Sequence, residues 1–255
     1  MRQLKFLMIA LLSGAAALGF TSCSNNDNPN YGIWYANALV TVKPNADNSD
    51  FYMQLDENTT VKALNLKQSP FGTKEVRALA NISYSDADAG EYDKAVYVNW
   101  IDSILTKNTA PDLGTENVNA YGNDPVEIVN DWVTIAEDGY LTLRFRSKWD
   151  PYLGKSHLVN LVASSDPDNP YEITFYHNAF GDVDGIFSDG IVAFSLAQLP
   201  DTQGETVDLT LKWNSYSGEK SATFKYCSRE SGENEVSSMT DGLEIESERF
   251  ADMLE

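Results

Sequence analysis

Apolar and polar side chains alternate along most of this chain, and that alternation constrains its fold more than any other feature. The clearest stretch runs from 206 to 213, where the apolar members are Val207, Leu209, Leu211 and Trp213. A period of two places successive side chains on opposite faces of a β-strand, so that one face is buried and the other meets water. Because the period beyond residue 30 is two and not 3.6, the sequence predicts an all-β protein.

The first half of the chain contains five segments rich in β-branched, aromatic or alternating apolar residues, separated by Asp, Asn, Pro or Gly. They span residues 36 to 43, 51 to 56, 60 to 65, 74 to 86 and 94 to 106. A five-stranded, partly open barrel of the OB type is the simplest arrangement for this number of strands. We therefore predict an N-terminal OB-like β-barrel.

The second half contains seven such segments, and seven strands are typical of a β-sandwich. They span residues 131 to 136, 140 to 148, 157 to 164, 171 to 178, 191 to 196, 206 to 213 and 219 to 227. Between the two halves, Pro111, Gly114, Gly122 and Pro125 interrupt any strand pattern and indicate a linker. The predicted fold is a five-stranded OB-like barrel followed by a seven-stranded β-sandwich.

The N-terminus has the pattern of a bacterial lipoprotein signal. Arg2 and Lys5 precede an apolar run over residues 6 to 20, which has the length of a signal-peptide core and is short for a membrane span. The following residues, Phe20-Thr21-Ser22-Cys23, resemble a lipobox, in which the Cys is acylated and becomes the new N-terminus. We predict lipidation at Cys23; the alternative is a secreted protein with an unmodified Cys.

The chain is strongly acidic, with a formal net charge of −20 at pH 7. Removal of residues 1 to 22 takes away Arg2 and Lys5 and no acidic residue, so the mature charge is −22. An acidic surface opposes binding to nucleic acids, whose phosphates attract clustered Lys and Arg. Acyl chains on Cys23 would hold the folded part on a membrane without a spanning helix. We predict an outer-membrane lipoprotein, with the periplasmic and cell-surface leaflets both open.

The predicted organisation has six parts. They are a lipoprotein signal peptide over residues 1–22, a flexible tether over 23–30, the OB-like barrel over 31–110, a linker over 111–125, the sandwich over 126–227 and an acidic tail over 228–255. The tether is small and polar, and the tail carries nine Asp or Glu against two Arg. Both compositions are typical of solvated segments without a core of their own.

The chain has two histidines, His157 and His177, and each falls on the apolar side of its predicted strand. They could line a core, or they could form a hydrolytic or metal site with an acid if they converged. The segment from Gly181 to Gly190 contains Asp182, Asp184 and Asp189, so calcium binding and ordinary turns are both open, although the EF-hand spacing is missing. We predict no catalytic residue, no metal and no cofactor.

Other candidate residues each have a functional and a structural interpretation. Cys227 would be unpaired once Cys23 is acylated, and it is either a structural thiol or a reactive one. Arg144 and Arg146, on the wet face of their strand, could bind a ligand carboxylate or pair with local acids. Four aromatic residues near strand ends could form a ligand platform or pack at the barrel rim: Trp34, Tyr35, Trp149 and Tyr152.

Six sequence blocks resemble the NigD-like lipoproteins of Bacteroidetes, in the same order along the chain. They are Tyr52 to Asp56, Glu75 to Tyr84, Tyr97 to Lys107, Gly139 to Phe145, His157 to Val162 and Phe175 to Asp182. The resemblance implies an N-terminal OB domain, a C-terminal β-sandwich and a lipid anchor. It also implies a role linked to a bacteriocin operon, hence immunity, without an established enzymatic activity.

Together these features predict a non-enzymatic, lipid-anchored envelope protein that binds a peptide or protein ligand, with bacteriocin immunity as one form of that role. The acidic surface would steer basic ligands toward it. The alternative is an accessory lipoprotein that binds glycans or assists envelope assembly. A metal-dependent hydrolase would require His157, His177 and an acid to lie within a few ångströms of one another.

Overall fold

The computed structural model describes Ile33 and residues 35 to 229. The signal peptide, Cys23, the tether, Trp34 and the tail from residue 230 onward lie outside the described residues, so what was inferred for them stays a prediction. Within the described part the chain is all-β, as predicted, with an N-terminal barrel and a C-terminal sandwich. No helix in this part is long and apolar enough to cross a membrane.

The barrel contains the five strands that the alternation predicts. They are β1 (Ala38–Pro44), β2 (Phe51–Gln54), β3 (Thr60–Ala63), β4 (Val76–Ser85) and β5 (Lys94–Ser103). The barrel closes in the order β1-β2-β3-β5-β4, and only β3 and β5 run parallel to each other. Val40, Phe51, Met53 and Val61 fill its interior. The closed core follows directly from the period-two pattern, because the apolar side of every strand points inward.

The sandwich has nine described strands and not the predicted seven. They are β6 (Leu105–Asn108), β7 (Glu127–Ile128), β8 (Ile135–Glu137), β9 (Tyr140–Trp149), β10 (Leu158–Ala163), β11 (Glu172–Asn178), β12 (Ile186–Ser195), β13 (Val207–Ser215) and β14 (Gly218–Tyr226). One sheet has the order β10-β11-β13-β14, and the other has the order β6-β12-β9-β7 with β8 beside β9. Phe145, Phe175, Phe194 and Leu209 pack between the two sheets.

The two extra strands, β6 and β7, have clear physical origins. The segment from 94 to 106 was predicted as one strand, but the chain leaves the barrel at Ile104 and β6 then pairs in parallel with β12, with Leu105 opposite Val192. Strand β7 has two residues, which is too short to display any alternation. Tertiary pairing therefore created both strands where local sequence carried no separate signal.

Residues 111 to 125, predicted as a linker, form a cover over the edge of the β10–β11 sheet. They include a 3-10 turn (Gly114–Glu116) and helix α1 (Asn117–Tyr121). Ser165 donates a hydrogen bond to Asp112, at 2.6 Å, and fixes the start of the segment. Gly122 then comes so close to β11 that a Cβ there would lie 2.6 Å from the backbone oxygen of His177. The segment is thus an integral part of the sandwich.

A buried ionic network joins the barrel to the sandwich. Arg77 of β4 is fully buried, and its guanidinium donates to Glu137 of β8 at 3.1 Å and to Thr142 of β9 at 3.3 Å. Lys43 of β1 donates to Asp138 at 3.1 Å. A separate apolar cluster also joins the two domains and includes Leu39, Leu79, Val133 and Ile191. Charged groups placed this deep need all their partners, so the network ties the two domains to one arrangement.

The turn between β8 and β9 presents the central carboxylate of this network. Asp138 and Gly139 both have positive φ, which is the type I′ conformation that two-residue hairpins require. Asp138 accepts hydrogen bonds from Arg229 at 3.0 Å through each of its oxygens, and Arg229 also donates to Glu75 at 2.7 Å. Arg229 was assigned to the solvated tail from its sequence context, but its side chain is only 7% exposed and lies at the domain junction.

Candidate functional site

Seven exposed apolar side chains gather at one end of the sandwich. We name this set the distal apolar surface; its members are Tyr152, Leu153, Phe180, Val183, Ile186, Phe187 and Tyr216. Three side chains are especially open, since Tyr152 is 95% exposed, Ile186 67% and Phe187 56%. The set makes up half of the large apolar side chains that are exposed among the described residues. Single exposed apolar residues are ordinary, whereas several of them at one end of a domain make that end a candidate interaction site.

The surface lies at the end of the sandwich remote from the barrel. Strand β9 starts at the domain junction, where the hydroxyl of Tyr140 donates to Glu75 at 2.8 Å. It ends at Trp149, which is opposite Ile186 of β12. Ten residues in a strand span about 30 Å at about 3.3 Å per residue. The apolar surface is therefore about 30 Å from the junction of the two domains.

Two aromatic rings of the surface are held in place by their neighbours. Phe187 and Tyr216 meet edge to face, with ring centroids 5.4 Å apart. The backbone N–H of Lys148 donates to the Tyr216 hydroxyl at 3.2 Å, and the Lys148 ammonium lies 6.0 Å above the Phe187 ring. An edge-to-face pair and a cation over a ring both limit rotation of the side chains. A partner would therefore meet a preformed apolar face at this point.

Directly beneath the surface lies a buried chain of polar side chains. His157, which precedes β10, is 0% exposed, and His177 of β11 is 1% exposed. His157 Nδ1 lies 2.9 Å from His177 Nε2, and His157 Nε2 lies 3.2 Å from Asp182 Oδ2. The far nitrogen of His177, Nδ1, is 3.3 Å from the backbone oxygen of Asp124. Trp149 stacks on His157 with ring centroids 3.7 Å apart.

Burial controls the protonation of both imidazoles. It lowers the pKa of His157, although the neighbouring Asp182 carboxylate acts in the opposite direction. Burial, reinforced by the charge of His157, lowers the pKa of His177 to about 4. Both rings are therefore neutral at pH 7. The two histidines and an acid do lie within a few ångströms of one another, as a hydrolase would require. They do so inside the core, however, and neither ring is open to a substrate.

The buried chain also connects the two loops that carry the distal apolar surface. Asp182 belongs to the loop over 179–185, and its two oxygens accept the backbone N–H of Asp150 at 3.0 and 3.1 Å. Asp150 begins the loop over 150–156. The loops touch closely at Gly185, where a Cβ would lie 1.8 Å from the backbone oxygen of Trp149. Only glycine fits at this position, because any side chain would clash with the backbone of the neighbouring loop.

Two family models match the chain. The model of the NigD-like N-terminal OB domain matches residues 39–104, and the model of the NigD-like C-terminal β-sandwich domain matches residues 108–226. A solved structure from Parabacteroides distasonis ATCC 8503, described only as toxin-related, has 35% sequence identity and a TM-score of 0.62, over 75% of this chain and 92% of its own. The chain belongs to the NigD-like family.

Two further solved structures share the fold of this NigD-like protein. A protein of unknown function from Bacteroides vulgatus ATCC 8482 has 20% identity and a TM-score of 0.61, over 74% of this chain and 89% of its own. A NigD-like immunity protein from Bacteroides caccae ATCC 43185 has 18% identity and a TM-score of 0.54, over 74% and 96%. No protein with a curated function matches the chain. The resemblance to the NigD-like family inferred from sequence is confirmed.

The three aspartates that the sequence left open as calcium ligands lie in different surroundings in this NigD-like protein. Asp182 turns inward to His157, Asp184 is exposed, and Asp189 is buried on β12. No group of three metal-ligating side chains is arranged to hold an ion anywhere in residues 35 to 229. The segment acts as the turn between β11 and β12, which was the other interpretation of its sequence.

The two arginines of β9 pair with local acids. Arg146 donates to Asp189 at 2.6 Å, and Arg144 donates to Asp189 at 2.5 Å and to Asp131 at 2.6 Å. Burial would raise the pKa of Asp189, but hydrogen bonds from Arg146 and Arg144 outweigh it and lower that pKa. The Asp189 carboxylate therefore stays ionised and fills the position that a ligand carboxylate would take.

Trp34 lies outside the described residues, and the other three aromatic residues considered for a ligand platform have different surroundings. Trp149 is buried against His157, and Tyr35, 56% exposed, lies beside Asn81 of the barrel, whose side chain donates to its backbone oxygen. Only Tyr152 belongs to the distal apolar surface. Cys227 follows β14 and is half-buried, with its sulfur 3.6 Å from the Thr202 hydroxyl.

Sequence reasoning missed most of the distal apolar surface. Its signal was present as two adjacent apolar residues, Ile186 and Phe187, immediately after the Asp-rich and Gly-rich turn. In a regular strand one of the pair would be inward, yet both are exposed at the start of β12. Two apolar neighbours at a predicted strand end are thus a usable sign of an exposed apolar edge.

Proposed function

We propose that this protein is a non-enzymatic, lipid-anchored envelope protein that binds a peptide or protein ligand through the distal apolar surface, in a role of the bacteriocin-immunity type. The observation that carries the proposal is the gathering of seven exposed apolar side chains at one end of the sandwich. Such a surface favours an apolar partner segment, since its burial contributes about 25 cal/mol per Å².

Charge and position support the same role. A net charge of −20, or −22 after removal of the signal peptide, would attract basic peptides from a distance and raise their association rate. A lipid on Cys23 would tether the chain at the barrel end, leaving the distal end free for a ligand in the envelope. One solved relative is named as an immunity protein and another as toxin-related.

The first test measures the sensitivity of cells with and without the gene to a panel of bacteriocins and antimicrobial peptides. Complementation uses wild type and Cys23→Ala. We expect the deletion to be sensitised to some members of the panel and only the lipidated form to restore resistance. Unchanged sensitivity of the deletion across the panel would refute the immunity role.

A second test assigns the binding surface. The double substitution Ile186→Ser and Phe187→Ser removes two exposed side chains without touching the core, and Tyr97→Ser, an exposed residue of the barrel, is the matched control. We expect the double variant to lose protection while the control retains it, with normal levels of both proteins. Equal protection by both variants would place the ligand elsewhere.

Glycan binding is a second candidate, favoured by a depression on the barrel. It has a volume of about 580 Å³, is open to solvent and is lined by the turn between β4 and β5. Tyr84 is exposed there, with the Lys94 ammonium 5.2 Å from its ring centroid, and Asp86 and Asp88 line the same depression. The free side of the ring and the acidic side chains would contact a sugar. Sugar affinity measured by calorimetry and abolished by Tyr84→Ala, but not by Ile186→Ser, would support this role.

A further inference from the structure

The buried chain of Asp124, His177, His157 and Asp182 has one contact more than neutral imidazoles can satisfy. The Asp124 carbonyl and the Asp182 carboxylate only accept hydrogen bonds, and the two rings stand between them. Three contacts along the chain therefore require three ring N–H groups. Two neutral imidazoles supply only two. At neutral pH one contact must be without a proton.

The geometry identifies the contact that lacks the proton. A carboxylate oxygen of the buried Asp182 faces His157 Nε2, so a lone pair on that nitrogen would be the least favourable arrangement, and His157 Nε2 must carry a proton toward it. His157 Nδ1 is then an acceptor, and His177 Nε2 donates to it at 2.9 Å. This leaves the lone pair of His177 Nδ1 against the carbonyl oxygen of Asp124. That contact, at 3.3 Å, is the longest of the three.

We propose that His157 and His177 form a one-proton site that controls the order of the distal apolar surface. A first proton, added at His177 Nδ1, completes the hydrogen-bond chain to Asp124, and the proton between the rings moves from His177 Nε2 to His157 Nδ1, so that the positive charge lies on His157 beside Asp182. A second would place an N–H on both His157 Nδ1 and His177 Nε2, so that two cationic donors face each other. The rings then separate, and the loops over 150–156 and 179–185 lose their common support.

The charged groups around the rings explain why the ordered site holds one added proton and not two. The ionisable groups around the rings are the carboxylates of Asp182 in the loop after β11, Asp124 in the segment before β7 and Asp150 after β9. Asp182 contacts a ring directly, whereas the Asp124 carboxylate accepts the N–H of Ala179 and Asp150 accepts that of Tyr152. One imidazolium beside one buried carboxylate is a neutral set. Burial lowers the pKa of both rings, so uptake occurs below the ordinary histidine range.

The separation of the rings reaches the binding surface through Asp182. This residue holds both His157 and the first backbone N–H of the loop over 150–156. Asp124 in turn holds Ala179, the first residue of the other loop. Tyr152, Leu153, Phe180 and Val183 belong to these two loops. The consequence for ligand binding rests on the proposed function of the distal apolar surface, whereas the proton site itself does not.

The test uses the mature chain in detergent, without any ligand, and records imidazole ¹⁵N shifts between pH 8 and pH 3. At pH 8 we expect both rings to carry the proton on Nε2, and acidification to protonate them in two separate steps. Hydrogen exchange of the loops over 150–156 and 179–185, corrected for its intrinsic rate, should rise about tenfold at the second step. Exchange that does not follow the second ring would overturn the proposal.

Asp182→Asn gives the decisive comparison, with Asp184→Asn as its matched control because that acid is exposed two residues away. The introduced amide can donate to His157 Nε2 and still accept the N–H of Asp150. Both rings should then carry the proton on Nδ1, all three contacts are satisfied, and the first step of proton uptake disappears. The control should titrate like wild type. Unchanged histidine tautomers in folded Asp182→Asn would refute the assignment of protons along the chain. The binding role is tested separately, by the loss of protection against bacteriocins in cells that carry the Ile186 and Phe187 double variant.

Discussion

Mild acid is expected to weaken this fold through His177. The ring is 1% exposed, and burial lowers its pKa from 6.5 to about 4. The unfolded chain therefore takes up a proton at a higher pH than the folded chain does. The stability that the neutral ring contributes is fully present above pH 6.5 and is lost as the pH falls toward 4. At about 1.4 kcal/mol per pKa unit, the whole effect is about 3 kcal/mol, of which about 2 kcal/mol is gone by pH 5.

The assay is denaturant unfolding of wild type and His177→Gln at pH 7 and pH 5. Many carboxylates also change the free energy of unfolding over this range, so the informative quantity is the difference between the two proteins. Wild type should lose about 2 kcal/mol more than the variant does. Equal losses in the two proteins would show that His177 is not held neutral by burial, and the reasoning would be wrong.

Three further substitutions test the packing that supports the site. Gly185→Ala should destabilise the protein by about 2 kcal/mol or more, because the new Cβ would lie 1.8 Å from the Trp149 carbonyl oxygen. An unchanged melting temperature would show that the two loops can move apart without loss of stability. Arg77→Ala should lower the free energy of unfolding by about 3 to 5 kcal/mol in a denaturant titration, because it leaves Glu137 without its buried cation. A decrease below about 1 kcal/mol would contradict a tight domain junction. Phe145→Ala should lower the free energy of unfolding by about 3 to 5 kcal/mol, because it opens a cavity between the two sheets. An unchanged free energy of unfolding would show that the core collapses to fill that cavity.

Much of the fold follows from the sequence because the strand period is a local property. The β9 stretch from Tyr140 to Trp149 and the β13 stretch from Val207 to Ser215 alternate in sequence, and both are strands. Two-residue strands carry no such pattern, so β7 was beyond local reasoning. The strand β6 was mistaken for the end of β5, because departure from the barrel at Ile104 depends on a partner strand from the sandwich.

The convergence of the histidines was partly accessible from sequence. His157 shares its face with Val159, and in the β10–β11 hairpin Val159 lies opposite His177, so the two imidazoles are diagonal neighbours. The register of that hairpin depends on the turn from Asp166 to Pro170, whose residues the sequence shows but whose exact loop length it does not fix. The alternation along each strand places the two rings on the same face of the sheet. Only the register between β10 and β11 places them within hydrogen-bond distance of each other.

The sequence by itself determined the all-β class, the division into a barrel and a sandwich, the family resemblance and the strong negative charge, because each depends on residue type or on short periods along the chain. Only the tertiary structure decided which acids serve which bases. Asp189 accepts hydrogen bonds from Arg144 and Arg146, and Asp182 contacts His157, although both aspartates lie in the same Asp-rich segment. The physical reason is that burial and hydrogen bonding depend on distances across strands, which are distant in sequence.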